Sequence, residues 1–210
     1  MTTEDLDDSV KELLRRTKKT SKSRFRASAR LERHHKFSQW TVALLSAALV
    51  LVPLAKAFEV QFRISTQYLS ALQAILAVLL LAYSLLLGQE RFISRAEAMH
   101  RNAVELGRFA RKLAGLESSN VDDNLYSGLV EEYYSILEKY ENHTSSDYLY
   151  TLLQIERPRT TVGHVRYIFI WLKATALDLI SYSHYIVVLS FSFYIVFIIL
   201  SAVVRSEGGQ

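Results

Sequence analysis

The side chains best suited to ligate a metal or carry a proton are six histidines, His34, His35, His100, His143, His164 and His184. No two stand at the H-x-x-x-H spacing that puts two ligands on one helical face. Glu97 and His100 form an E-x-x-H unit, which di-iron carboxylate bundles use in pairs with two further inward glutamates. Glu32 and His35 repeat the spacing, but spacing alone does not supply the two further inward glutamates, so a surface or interhelical hydrogen bond is the expected use of the Glu97–His100 pair and no metal site is expected. The absence of cysteine removes thiolate ligands and disulfides. Seven glycines build no phosphate-cradling loop and no G-x-S-x-G elbow. The inventory therefore points away from an enzyme: no catalytic residue, no cofactor.

Polar residues inside apolar runs carry more information, because each costs free energy in hydrocarbon. Gln73, Ala77, Ser84 and Gly88 fall within about 60° of one another at 100° per helical residue. Ser183, Ser190 and Ser201 form a second stripe. Ser46 lies with Ala43 and Ala47 on a surface of small residues that permits close helix approach. These stripes either face water in a pore or pack helices together. No charge lies in the middle of a run, which argues against a proton-coupled transporter or a voltage sensor and suits a pore closed by a hydrophobic constriction.

Three apolar runs must position these residues. Phe37–Ala55 lies uncharged between Lys36 and Lys56, and the other two runs lie between Arg63 and Glu90 and between Asp178 and Arg205. A spanning helix needs roughly 20 residues, and a soluble helix would interrupt them with polar positions at a 3.6-residue period. The expected fold is an all-α membrane protein. It has a transmembrane hairpin over 37–87 (spans 37–55 and 68–87), a long cytosolic helical extension over 88–178 and a third transmembrane helix over 179–204. Pro53 falls near the outer end of the first span, where a kink costs least, and Trp40 and Tyr68 stand as interfacial anchors. Ala55-Lys56-Ala57 imitates a signal-peptidase site, but the 36 residues before the run are too many for a signal peptide's basic region.

Lysine and arginine give the orientation. Lys18, Lys19, Lys22, Arg24, Arg26, Arg30, Arg33 and Lys36 precede the first span, Arg91, Arg95, Arg101, Arg108, Arg111 and Lys112 follow the second, and only Lys56 and Arg63 lie between them. Residues 1–36 and 88–178 are thus expected in the cytoplasm, with the C-terminal tail outside. The net charge of +4 sits where anionic lipid would attract it. Because the base flanks spans, no direct nucleic-acid binding is expected.

Within 1–36, Leu6, Val10, Leu13 and Leu14 fall on one helical face, extended by Phe25, Ala29 and Leu31, and the expectation is a basic amphipathic helix lying on the inner leaflet. Beyond the second span, Phe92, Ala96, Met99, Ala103, Leu106, Ala110 and Leu113 keep alternating spacings of 4 and 3, a heptad seam on a helix over 89–114. With no proline intervening and Gly88 the one weak link, span two is expected to run on as a single helix to near Gly115. The partner of the seam is either another subunit or another helix of the same chain. A helix beginning at Asp122 and Asp123 follows, with Leu125, Leu129, Tyr133, Ile136 and Tyr140 as its apolar face. A break is expected at Asn142–Ser146, then a short helix over Asp147–Glu156 ended by Pro158. An interfacial or packed helix over Val162–Leu179 leads into span three.

The basic run S-R-F-R-A-S-A-R-L-E-R (Ser23 to Arg33), the two-span hairpin and R-F-I-S-R-A-E-A-M-H-R-N-A-V-E-L (Arg91 to Leu106) together resemble the SLATT domains, the SMODS- and SLOG-associating two-transmembrane effectors of prokaryotic conflict systems. The third span is an addition to that plan. The resemblance implies a multi-pass inner-membrane effector that homo-oligomerises and opens a pore to stop phage spread. It also implies a trigger from a nucleotide second messenger or a linked reverse transcriptase. The competing expectation is a non-conducting scaffold that recruits a cytosolic partner enzyme to membrane lipid.

Overall fold

The computed structural model describes residues 3–58, 65–116, 121–155, 158 and 160–207, except the side chains of 3, 4, 161, 200 and 202–207. Residues 59–64 of the 56–67 loop, Ser118 to Asn120 and the C-terminal end of the tail therefore lie outside the described residues. All described secondary structure is helical: α1 (Thr3–Ala57), α2 (Thr66–Gln89), α3 (Phe92–Leu116), α4 (Asp123–Glu138), α5 (Ser145–Ile155) and α6 (Thr161–Glu207). Three helical stretches are long and apolar enough to cross a membrane: Asp5–Ala57, Thr66–Leu116 and Val162–Ile199.

Two of these helices are longer than their apolar runs. Residues 1–52 contain neither glycine nor proline, so nothing stops the α1 ladder between the basic segment and the apolar one. Pro53 is tolerated four residues before the end. Likewise, Val162–Leu179 and the third span form the single helix α6.

The expectation of one continuous helix through Gly88 is corrected. The chain turns at Glu90, and Arg91 takes φ 47°, in the left-handed region. Gly88 itself stays helical. The break falls between an almost wholly apolar helix and one of mixed polarity.

The chain divides into two compact units. The first comprises Met1–Arg33 and Phe92–Leu179. Its main core joins Leu13 and Leu14 of α1, Leu106, Phe109, Ala110 and Leu113 of α3, and Leu129, Tyr133 and Ile136 of α4. A smaller cluster packs Ala27 and Leu31 against Ala96 and Met99. This overturns the reading of residues 1–36 as a helix lying on lipid. Leu6, Val10, Leu13 and Leu14 are all buried in protein, because α3 and α4 together offer an apolar groove that covers that face. Asp122 caps α4 by accepting from the Leu125 N–H at 2.8 Å, and α5 begins where Thr144 N–H donates to Asp147.

The second unit comprises His34–Arg91 and Ile180–Gln210. Its core is Leu45, Val52 and Ala55 of α1, Leu76 of α2, and Ile195 and Ile199 of α6. Ser65 caps α2, accepting from Tyr68 N–H at 3.3 Å. Most of the apolar surface of α2 remains uncovered, including Ile75, Val78, Leu81, Leu85 and Leu86. Trp40 and Tyr68 are exposed too.

Candidate functional site

In the second unit the packed side of α2 is formed by Leu69, Leu72, Leu76, Leu80 and Tyr83. The polar stripe begins at the edge of that side and turns outward. Gln73 and Ser84 are half-buried, and Ala77 and Gly88 are exposed. The hydroxyl of Ser84 donates to the Leu81 carbonyl at 3.0 Å, which satisfies it within its own helix. Gln73 differs: its amide makes no hydrogen bond among the described residues. An amide left so in hydrocarbon costs several kcal/mol, of order 2–7.

The serine stripe of α6 lies on the side opposite its packed residues Tyr185, Ser192, Ile195 and Ile199. Ser183, Ser190 and Ser201 are all exposed. Ser183 and Ser201 donate to the carbonyls of Ile180 and Ile198 at 2.7 and 2.8 Å. Ser46 of α1 is half-buried and donates to Val42 at 2.8 Å, while Ala43 and Ala47 are exposed. None of these stripe residues, then, is fully buried in this unit.

Sequence reasoning missed what the unit does bury. His34 and Tyr185 are both almost fully enclosed. Tyr185 Oη donates to the His34 carbonyl at 3.3 Å and lies 3.3 Å from His34 Nδ1. The one hydroxyl thus meets both the backbone and the ring of His34. Tyr182 stacks on the His34 ring at 4.2 Å with planes 3° apart, and Phe37 meets Tyr182 edge-on at 5.4 Å. Histidines screened only for metal spacing conceal such a role. The available signal was the aromatic run Ser181 to Tyr185 at the start of an apolar segment.

In the first unit the heptad residues Ala96, Met99, Ala103, Leu106, Ala110 and Leu113 are buried and Phe92 half-buried. What covers them belongs to the same chain: α1 throughout and α4 at the far end. Ser21 Oγ donates to the Ala103 carbonyl at 2.8 Å, the close approach that an alanine seam permits. Beside the seam, Asn102 is buried and donates to the Ile136 carbonyl at 2.9 Å. Glu97 pairs with Arg101 at 3.3 Å on the exposed face of α3, and the His100 ring meets Phe25 edge-on. Among the described residues no three His, Asp or Glu side chains gather into a metal-binding group.

Buried polar groups of the first unit cluster around α5. Arg24 donates to the Glu141 carbonyl and touches Met99 Sδ at 3.4 Å. Burial pushes the Arg24 guanidinium below its ordinary value. Burial first, and then the Arg24 charge, hold His143 below the usual histidine range.

A family model, SMODS and SLOG-associating 2TM effector domain family 5, matches residues 6–205. The chain belongs to this SLATT family. The match covers both units, including the intrachain seam and the whole apolar stretch of α6. A two-transmembrane name therefore covers, in this SLATT chain, three helices of membrane-spanning length and composition. No curated protein and no solved structure matches the chain. As a SLATT member the chain is an effector domain of defence-associated systems.

Proposed function

We propose that this protein is a pore-forming effector of an antiphage system, resident in the prokaryotic inner membrane, that oligomerises and permeabilises that membrane on activation. The observation that carries the reading is Gln73. It is an amide without a hydrogen-bond partner among the described residues, on the outward edge of a helix that carries no charge for the width of a bilayer. Facing lipid it would be uncompensated. Facing water in a pore, or the same residue on a neighbouring copy, it is satisfied. Ala77 and Ser84 continue the stripe with small side chains.

In this reading the first unit lies in the cytoplasm, as the lysine and arginine distribution favours, and receives the trigger. A nucleotide second messenger or the product of a linked reverse transcriptase fits the family's associations. Because α1 and α4 occupy the heptad seam, subunits meet through other surfaces. The uncovered apolar faces of α2 and α6 are the supply: Val78 and Leu81 on one, Val187 and Phe197 on the other.

The test is conductance of the purified full chain in planar bilayers. Discrete openings that disappear in Gln73→Leu, with insertion and oligomeric state unchanged, support a pore lined at this stripe. Silence from inserted, oligomeric wild-type protein under every trigger tried supports instead a membrane anchor that recruits a partner.

A further inference from the structure

On α1 the cations Arg15, Lys18, Lys19 and Lys22 stand at i, i+3, i+4 and i+7, all on one face. Like charges at these spacings repel and destabilise a helix, yet here they are gathered around one cavity of about 620 Å³. Arg111 of α3 also lines it. No described carboxylate does. Lys18, Lys22 and Arg111 form no ion pair with any described residue. The wall opposite the lysines is made of Gly107, Ala110 and Ala114 on α3, three small residues that leave the space open. The volume lies within the range of small-molecule sites, about 300–1,000 Å³.

An adjoining cavity of about 390 Å³ shares Arg15 and Lys19 but has a different character. Tyr133, Tyr134 and Tyr148 wall it, together with Glu12. Hydrogen bonds from Arg15 and Arg16 hold the Glu12 carboxyl down at about 2, so it is a fixed negative charge. An anion is therefore directed to the carboxylate-free side, where it would relieve the repulsion among the lysines. Lys19 already lies 4.6 Å from the centre of the Tyr148 ring, between the two cavities.

We infer that the cavity between α1 and α3 is a binding site for a phosphate-bearing anion, held by Lys18, Lys22 and Arg111. The phosphate belongs either to a free phosphorylated metabolite or to a lipid headgroup. The binding chemistry is the same for both: charge-assisted hydrogen bonds from ammonium and guanidinium donors. The assignment bears on the trigger of the proposed pore, but it is read by binding alone, so a silent bilayer would leave it standing.

The experiment measures acetylation of Lys18 and Lys22 by mass spectrometry on the full chain in phosphatidylcholine nanodiscs. One arm adds pyrophosphate or ATP, one replaces part of the lipid by phosphatidylglycerol, and one adds sodium chloride to the same ionic strength. Protection on adding pyrophosphate or ATP assigns a free phosphorylated ligand. Protection by phosphatidylglycerol alone assigns a headgroup. In either case Lys18→Ala, Lys22→Ala and Arg111→Ala together should weaken binding of the protecting species at least about tenfold. All three side chains are exposed, and unchanged helicity and melting confirm that the variant folds. Ala114→Trp, which fills the cavity and adds no charge, should also block it. Equal reactivity in all arms, or equal protection by sodium chloride, overturns the assignment.

Discussion

Arg30 donates two hydrogen bonds, of 3.0 and 3.1 Å, to the two carboxylate oxygens of Asp147, a residue 117 positions away and 1% exposed. Thr144 adds its hydroxyl to the same carboxylate at 2.7 Å. The pair thus ties α1 to the first turn of α5. Removing one member of a buried pair leaves the other charge desolvated, at a cost of about 3–5 kcal/mol. We expect Asp147→Ala to lower the stability of the first unit by about that much in denaturant titration. Adding Arg30→Leu should recover part of the loss. Equal stability of wild type and Asp147→Ala would sink this account.

The intrachain cover of the heptad makes a different claim. Leu106 is fully buried between α1, α3 and α4, so Leu106→Ala should cost about 2–5 kcal/mol through the cavity it leaves. Because the seam is filled from within the chain, the fall in melting temperature should not depend on protein concentration. A concentration-dependent loss would mean that a second copy supplies the cover.

Arg91 offers a test of the break between α2 and α3. A non-glycine residue in the left-handed region is disfavoured by roughly 1–2 kcal/mol. Arg91→Gly should therefore match or exceed wild-type stability, by up to about 1 kcal/mol. If Arg91→Gly is clearly less stable while Arg91→Ala is not, the left-handed turn is the wrong description.

His143 sets a pH dependence whose sign follows from its surroundings. Burial, and then the Arg24 charge, lower its value in the folded protein, with Asp147 opposing. As pH falls, the unfolded chain takes up the proton first. Stability is therefore full at neutral pH, begins to fall near the ordinary histidine value of 6.5, and keeps falling until the folded form also titrates. His143→Gln should flatten the dependence of unfolding free energy on pH between about 7 and 5, and an unchanged slope would assign it elsewhere.

What the sequence by itself determined is local. Uncharged runs of bilayer length, a heptad, an aspartate cap and the lack of glycine and proline each act within a few turns of chain. They specified an all-helical protein with three membrane-length apolar helices, and the helices α4 and α5 nearly at their observed ends. The absent cysteines were equally readable, because they concern residue type alone.

Tertiary structure decided what covers each face. A 3.6-residue period says that a helix has an apolar side, but lipid and protein satisfy that side equally well. Only the groove formed by α3 and α4 makes Leu13 and Leu14 core residues rather than a membrane anchor. The break at Arg91 likewise was not legible, because a left-handed φ is rare for a residue other than glycine and no glycine stands there. Arg30 with Asp147, and His34 with Tyr185, join residues more than a hundred positions apart. The lysines of α1 were visible as a charge run. The cavity that gathers them exists only because α3 presents Gly107, Ala110 and Ala114 opposite.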